Sequence, residues 1–281
     1  MTPTGSALTA GVIGQPIGHS LSPLMMSRWI QDAGLDAIYT PYIATPHMFA
    51  PIVSALFRAG LKGLNVTLPH KTEALRLSHR ISDRAERIGA ANLLTSIDGE
   101  VHADNTDAIG FISALRTSGH DPAAKNALVL GAGGAARAIV DGLIEAGVSG
   151  LTICNRSRAR AESMRADLAP NAHIGTWDER NDALLEADIV VNATSLGLSD
   201  QPELGMDWSQ AKSSAIIADS VYVPLETGFL RTASEAGLTT VDGLGMLIEQ
   251  GRPSFTAFFG QEAPETTDIR SLLIQALATR S

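Results

Sequence analysis

Cysteine is almost missing from this chain. One thiol, Cys154, in 281 residues excludes an internal disulfide framework, and no Cys/His spacing resembles a zinc site. Because Cys154 closes the apolar run "LTIC", it reads as a buried core thiol. Long apolar stretches are missing as well: nothing approaches the ~18 apolar residues of a membrane span, and "MTPTGSALTAGVIG" has no basic segment followed by an apolar one. These absences point to a cytoplasmic chain with no membrane partner. Basic charge is short too. With 21 Lys and Arg against 30 Asp and Glu, a net charge of −9 disfavours nucleic acid as a partner, because its backbone needs a basic surface to release counterions. A small anionic ligand stays compatible, since a few local donors override the global charge.

What is present is an alternation. Apolar runs of four to six residues, "AGVIG", "AIYTPYIA", "GLNVTL", "NALVLG", "GLTICN", "ADIVVNAT" and "SAIIADS", are separated by helical patterns. That predicts an α/β fold with mainly parallel sheets. Ser22 before Pro23 and Thr45 before Pro46 each offer an N-cap hydroxyl followed by Pro at the first helical position. The polar stretch "RTSGHDPAAK" reads as a connection, placing a domain boundary near residues 103 to 125. Two helical patterns at the end, "GLGMLIEQGRPSFTAFFG" and "DIRSLLIQALATR", could pack back on the first domain.

The run "ALVLGAGGAARAIV" puts an apolar strand directly before Gly131, Gly133, Gly134, Ala135 and Ala136, with a helical pattern after them. This is the glycine arrangement of a dinucleotide site in its required context: a tight turn, close approach of backbone N–H groups to a pyrophosphate, and close packing of helix on strand. The helix start supplies partial positive charge. About 20 residues on, an NAD site presents an acidic side chain to the ribose, but this chain offers Asn155, Arg156, Ser157, Arg158 and Arg160. A guanidinium pairs with a ribose 2′-phosphate that a carboxylate would repel. The cofactor expected is therefore NADP, with Arg158 facing water. Farther along, Ala193, Thr194 and Ser195 end another strand and could line the nicotinamide half, or form a plain turn.

Lysine is scarce, four residues against seventeen Arg, yet "GLKGLNVTLPHK" places Lys71 just after Asn65, Thr67 and His70. Together with the blocks "GQPIGHSLSP", "GAANLLT", "NTDAIGF", "GAGGAARA", "NRSRAR", "NATSLG", "DSVYVPLET" and "DGLGMLIEQ", this resembles the shikimate dehydrogenase family over nearly the whole length. The resemblance implies an N-terminal substrate domain with a mainly parallel sheet (1–105, completed by helices in 245–281) and a Rossmann NADP domain (106–244). It implies reversible NADPH-dependent reduction of 3-dehydroshikimate to shikimate, without a metal, by a monomer or homodimer. On the matching positions Lys71 is the catalytic Lys and Asp107 its carboxylate partner. Ser20 and Ser22 bind the substrate carboxylate with Tyr222 near it, Asn65, Thr67, Asn92, Asp107 and Gln250 bind ring hydroxyls, and Gly243 joins the cofactor set. An ammonium gives up a proton near neutral pH once desolvated, whereas a guanidinium does not, which accounts for a Lys in this turn. Local turn hydrogen bonding is the expected role of His19 and His70. Two other readings accompany this one: a broader quinate/shikimate dehydrogenase, and a noncatalytic NADP-binding sensor.

Overall fold

A computed structural model describes residues 2–279. The ends of the spans expected above, Met1, Arg280 and Ser281, lie outside the described residues. By their internal contacts, residues 2–106 with 250–279 form one unit and residues 107–249 a second.

The first unit is built on a six-stranded sheet. Strands β1 (Leu8–Gly14), β2 (Ala37–Ile43) and β3 (Gly63–Val66) are three of the expected apolar runs. Strands β4 (Arg80–Ile81), β5 (Leu93–Ile97) and β6 (Glu100–Asp104) are not among the runs read from the sequence. β5 and β6 form a hairpin through Asp98 and Gly99, both at positive φ (50° and 81°), the backbone that an Asp-Gly pair adopts in a two-residue hairpin turn. That dipeptide was the available signal. The order is β2-β1-β3-β5-β6-β4. β1 runs parallel to β2 and β3, β5 antiparallel to β3, and β6 antiparallel to β5. One edge of this sheet therefore carries the carboxyl ends of β1, β3 and β6 and the amino end of β5. The residues that follow or precede those ends, 15–22, 67–71, 92 and 105–106, gather along it.

Helix Ser22–Asp32 buries Met25, Met26, Trp29 and Ile30, the three-and-four spacing of one apolar face. The N-cap expectation for Ser22 is corrected here. Leu21 holds the cap position in an αR conformation (φ −90°, ψ −8°) with no side-chain cap bond, so Ser22 is already helical. A capping hydroxyl needs an extended backbone, and here Ser22 N–H instead donates to Ser20 Oγ at 3.3 Å. Thr45 is extended and precedes Pro46, but the segment it starts is the short 3-10 turn Pro46–Met48, and its side chain makes no cap bond. Its hydroxyl lies 3.3 Å from the His47 ring instead.

The second unit holds β7 (Asn126–Leu130), β8 (Gly150–Cys154), β9 (His173–Gly175), β10 (Ile189–Asn192), β11 (Ile216–Asp219) and β12 (Thr239–Val241). Every pairing is parallel, in the order β12-β11-β10-β7-β8-β9, the doubly wound arrangement of a Rossmann fold. Its chain order reverses between β7 and β10, where ligands of such sheets bind at the carboxyl ends of the strands. Ile139, Val140 and Leu143 of helix Gly134–Glu145 are fully buried with Val129, Ile153 and Val191 of the sheet. Cys154 is fully buried, as expected, and burial pushes its thiol pKa up to about 11. The last two helical patterns form Gly243–Phe259 and Ile269–Ala278.

Candidate active site

In the first unit, Ser20, Ser22, Thr67, Lys71 and Asn92 stand on the shared edge, and Asn65, Asn92 and Gln250 are tied together by buried hydrogen bonds. Gly14 ends β1 where a Cβ would come within 2.3 Å of Thr67 Cγ2, so only glycine lets the segment after β3 lie this close. Thr67 N–H donates to Ile13 O at 3.0 Å. Lys71 opens helix Lys71–Arg76, is half-buried, and its carbonyl accepts from Ala91 N–H at 2.9 Å. His70, directly before it, is buried with Nε2 2.8 Å from Ala44 O, to which it donates, and its ring stacks on Phe49 at 4.5 Å. Local turn bonding, the role expected of it, is made by its backbone N–H, which donates to Thr67 O at 3.0 Å, while its ring ties the turn to a segment 26 residues away.

Asn92 follows Ala91 and is only 3% exposed. Its Oδ1 accepts from Thr106 N–H at 2.7 Å, and its Nδ2 donates to Thr106 Oγ1 at 2.9 Å and toward Gln250 Oε1 at 3.4 Å. Asn65, on β3, accepts from the Tyr39 hydroxyl at 2.8 Å and donates to Ser254 Oγ at 2.8 Å. Ser254 in turn donates to Gln250 O at 3.2 Å. Buried amides and hydroxyls are costly unless paired, so this set holds its members in single orientations. Ser22 is buried and Ser20 half-buried at the start of the first helix.

Sequence reasoning missed Tyr39, Thr106 and Ser254. The signal for Ser254 was its place four residues after Gln250, one helical turn along the same face. Thr106 lies between Asn105 and Asp107 in a block already singled out. Tyr39 carried no signal, because a Tyr in an apolar strand reads as core.

In the second unit, Gly131 has φ +121°, and a Cβ there would meet Ala193 O at 2.8 Å. The ends of β7 and β10 are thereby in direct contact at the order reversal. Gly133 is extended at the N-cap of helix Gly134–Glu145 (φ −91°, ψ −174°), and a Cβ on it would meet nothing within 4 Å. The first turn of that helix carries no acidic residue. Open space before unsatisfied N–H groups, with no carboxylate to repel, fits a pyrophosphate. After β8, Asn155 Nδ2 donates to Ser157 O at 2.8 Å, shaping the turn. Arg156, Ser157 and Arg160 are exposed, and Arg158 is also exposed, paired with Glu162 at 2.8 Å. An exposed pair of guanidiniums at the ribose end fits a 2′-phosphate.

Ala193, Thr194 and Ser195 follow β10, and the Asn192 side chain orders them: its Oδ1 accepts from Thr194 N–H at 3.0 Å and Thr194 Oγ1 at 2.7 Å. Gly243 opens the helix Gly243–Phe259 where a Cβ would lie 2.5 Å from Val221 O, so it packs directly on the segment leading to Tyr222. Tyr222 is half-buried. Asp107 begins helix Asp107–Thr117 and is buried, one peptide bond beyond Thr106. Sequence reasoning also missed Asp219, which closes β11, and Thr227, whose hydroxyl donates to it at 2.7 Å. A charged residue closing the apolar run "SAIIAD" was the signal. Among the described residues, no group of three or more His, Cys, Asp or Glu could hold a metal ion.

Residues 12–94 match the model described as shikimate dehydrogenase substrate binding domain, residues 114–205 the model of shikimate / quinate 5-dehydrogenase, and residues 243–273 the shikimate 5'-dehydrogenase C-terminal domain. A shikimate dehydrogenase (NADP(+)) of Maricaulis maris is 47% identical, covering 100% of both chains. Among solved structures, shikimate 5-dehydrogenase from Thermus thermophilus in complex with NADP(H) and shikimate is 33% identical, with a TM-score of 0.85 over 97% of this chain and 99% of that one. A 5-ketofructose reductase of Gluconobacter is 30% identical, with the same TM-score of 0.85 over 99% of this chain and 100% of that one.

Proposed function

This chain belongs to the shikimate dehydrogenase family, and from that premise we propose how its own residues carry the NADP-dependent, reversible reduction of 3-dehydroshikimate to shikimate. NADP, when bound, supplies or takes up the hydride. As a carbonyl is reduced, negative charge builds on its oxygen, and a donor within about 3 Å must neutralise it. Lys71 gives its ammonium proton to that oxygen in reduction and takes the hydroxyl proton back in oxidation. Asp107 is its partner, the carboxylate favouring the charged amine and limiting its orientations.

Ser20 and Ser22 hold the substrate carboxylate, with Tyr222 beside it. Asn65, Thr67, Asn92, Asp107 and Gln250 take the ring hydroxyls. A site of paired amides and hydroxyls discriminates by hydroxyl pattern, because a substrate lacking one strands a buried partner. On the cofactor side, residues 131–135 receive the pyrophosphate. Asn155, Arg156, Ser157 and Arg160 receive the adenosine end with its 2′-phosphate, and Ala193, Thr194, Ser195 and Gly243 receive the nicotinamide half.

The observation that carries this reading is a run of bonds through the first unit. The Lys71 carbonyl is bound by Ala91, the next residue Asn92 is bound twice to Thr106, and Asp107 follows Thr106 in the chain. The backbone of the proposed proton donor is thus bonded to the residue before Asn92, and the proposed partner is the next residue in the chain after the one that Asn92 bonds. Lys71→Ala is expected to lower kcat by about 10²- to 10⁴-fold while NADPH binding, followed by calorimetry, is retained. Unchanged turnover would remove Lys71 from the mechanism.

No helix among the described residues is long and apolar enough to cross a membrane. A cytoplasmic location and a monomeric or homodimeric state belong to the proposed reading, with the single cysteine and the acidic composition in support of the location.

A further inference from the structure

We propose that Asp219 is a positioning residue for the nicotinamide end of the cofactor site: from the end of β11 its carboxylate holds residues 193–196, the segment 220–222 and Thr227 in one arrangement. This rests on the reading that the turn after β10 meets the nicotinamide half.

Asp219 is 2% exposed. Its Oδ1 accepts from Asn192 Nδ2 at 2.9 Å and from Val221 N–H at 2.9 Å, and its Oδ2 accepts from the Thr227 hydroxyl at 2.7 Å. The first of these bonds decides how the Asn192 amide faces. With its NH₂ turned to the carboxylate and to Leu196 O (3.0 Å), its oxygen must face Thr194, where it accepts from both N–H and Oγ1. The reverse orientation would set oxygen against oxygen at two contacts and N–H against NH₂ at a third, so the carboxylate selects one conformation of the turn. Thr194 Oγ1 then accepts from Leu196 N–H at 3.0 Å.

The second bond fixes the backbone just before Tyr222, on which Gly243 packs. The third engages the residue that caps helix Gly228–Glu235 through Leu230 N–H at 3.3 Å. Gly197 packs on the same Thr227, with a would-be Cβ 3.3 Å from its Cγ2. Burial pushes the Asp219 pKa up to about 6 even though all three hydrogen bonds lower it. A carboxylate is therefore kept where a neutral residue would be cheaper to bury. The return is that one group with two acceptor oxygens takes three donors from three segments.

The test separates the two ends of the cofactor. Affinities for NADP and for adenosine 2′,5′-bisphosphate, which lacks the nicotinamide half, are measured by calorimetry. Asp219→Ala strands buried donors and is expected to weaken NADP by about tenfold while adenosine 2′,5′-bisphosphate binds as to the wild type. Asp219→Asn is expected to recover most of the loss, since its amide oxygen can still accept from Asn192 and Val221. If both ligands weaken equally, or neither does, the positioning role is overturned. Should Asp219→Ala fail to fold, Thr227→Val removes one of the three bonds and carries the same test, with an expected loss of about threefold in NADP alone. A separate variant, Ser195→Phe, places bulk on the exposed turn and should block NADP only. If it binds NADP normally, the turn does not meet the nicotinamide, and the underlying reading falls together with the proposal, whatever Asp219→Ala does.

Discussion

The two units make their sites from different materials. In the second, parallel strands deliver glycine turns and helix starts to one sheet edge, and backbone groups do most of the proposed binding. In the first, a mixed sheet and a helix deliver amides and hydroxyls that are 26 to 189 residues apart in sequence, such as Tyr39, Asn65 and Ser254, and the proposed binding falls to buried side chains. A cofactor common to many enzymes can be gripped by features any chain possesses. A polyhydroxylated substrate needs a particular set of donors and acceptors, which only side chains from distant segments provide.

If that contrast holds, a single added methyl should do most harm where the site is backbone. Gly131→Ala puts a Cβ 2.8 Å from Ala193 O at a φ of +121°. It should cost at least about 3 kcal/mol of stability and abolish measurable NADP binding, read by denaturant unfolding and calorimetry. An alanine variant that binds NADP normally would show that the turn tolerates what its geometry forbids.

Asp219 is the exception inside the backbone-built unit, and its titration sharpens the comparison. Its folded pKa, about 6, lies above the ordinary 3.8, so the stability it contributes is fully present below 3.8 and is lost as pH rises through about 6. Asp242, Glu203, Glu226 and Arg231, charged residues on neighbouring segments, are not among the causes of that shift. Asp219→Asn has no such titration. Relative to the wild type, it should therefore gain about 2–3 kcal/mol between pH 4 and pH 8, seen as diverging denaturation midpoints. Parallel pH profiles for the two proteins would mean that Asp219 has the same pKa folded and unfolded, so that burial does not raise it.

The smallest effects belong to the side-chain network of the first unit, where losses should be graded by what is left unpaired. Ser254→Ala leaves Asn65 Nδ2 only its longer bond to Asn92 O at 3.4 Å, with one buried N–H unpaired, and should cost about 2 kcal/mol. Tyr39→Phe removes one donor to an oxygen that a substrate hydroxyl can also supply, and should cost about 1 kcal/mol. Both should raise KM for shikimate more than they lower kcat. A larger effect from Tyr39 than from Ser254 would reverse the assignment of which partner orients Asn65.

The sequence alone determined the class of fold, the seven principal apolar runs, the glycine turn and the identity of the polar residues at strand ends. Each of those is written locally, in a period, a dipeptide or a short spacing. It could not say that Ser22 begins a helix rather than capping it, because that depends on the backbone angles of Leu21. It was silent on β4, β9 and β12, two or three residues long, and on the hairpin that sets Asn92 beside Thr106. Nor did it disclose that Tyr39, Ser254 and Thr106 finish the pairing of Asn65 and Asn92, or that Asp219 orients Asn192. Those partners are chosen by burial: once apolar packing removes water, each polar group must find another within about 3 Å, and only the folded chain decides which one is there.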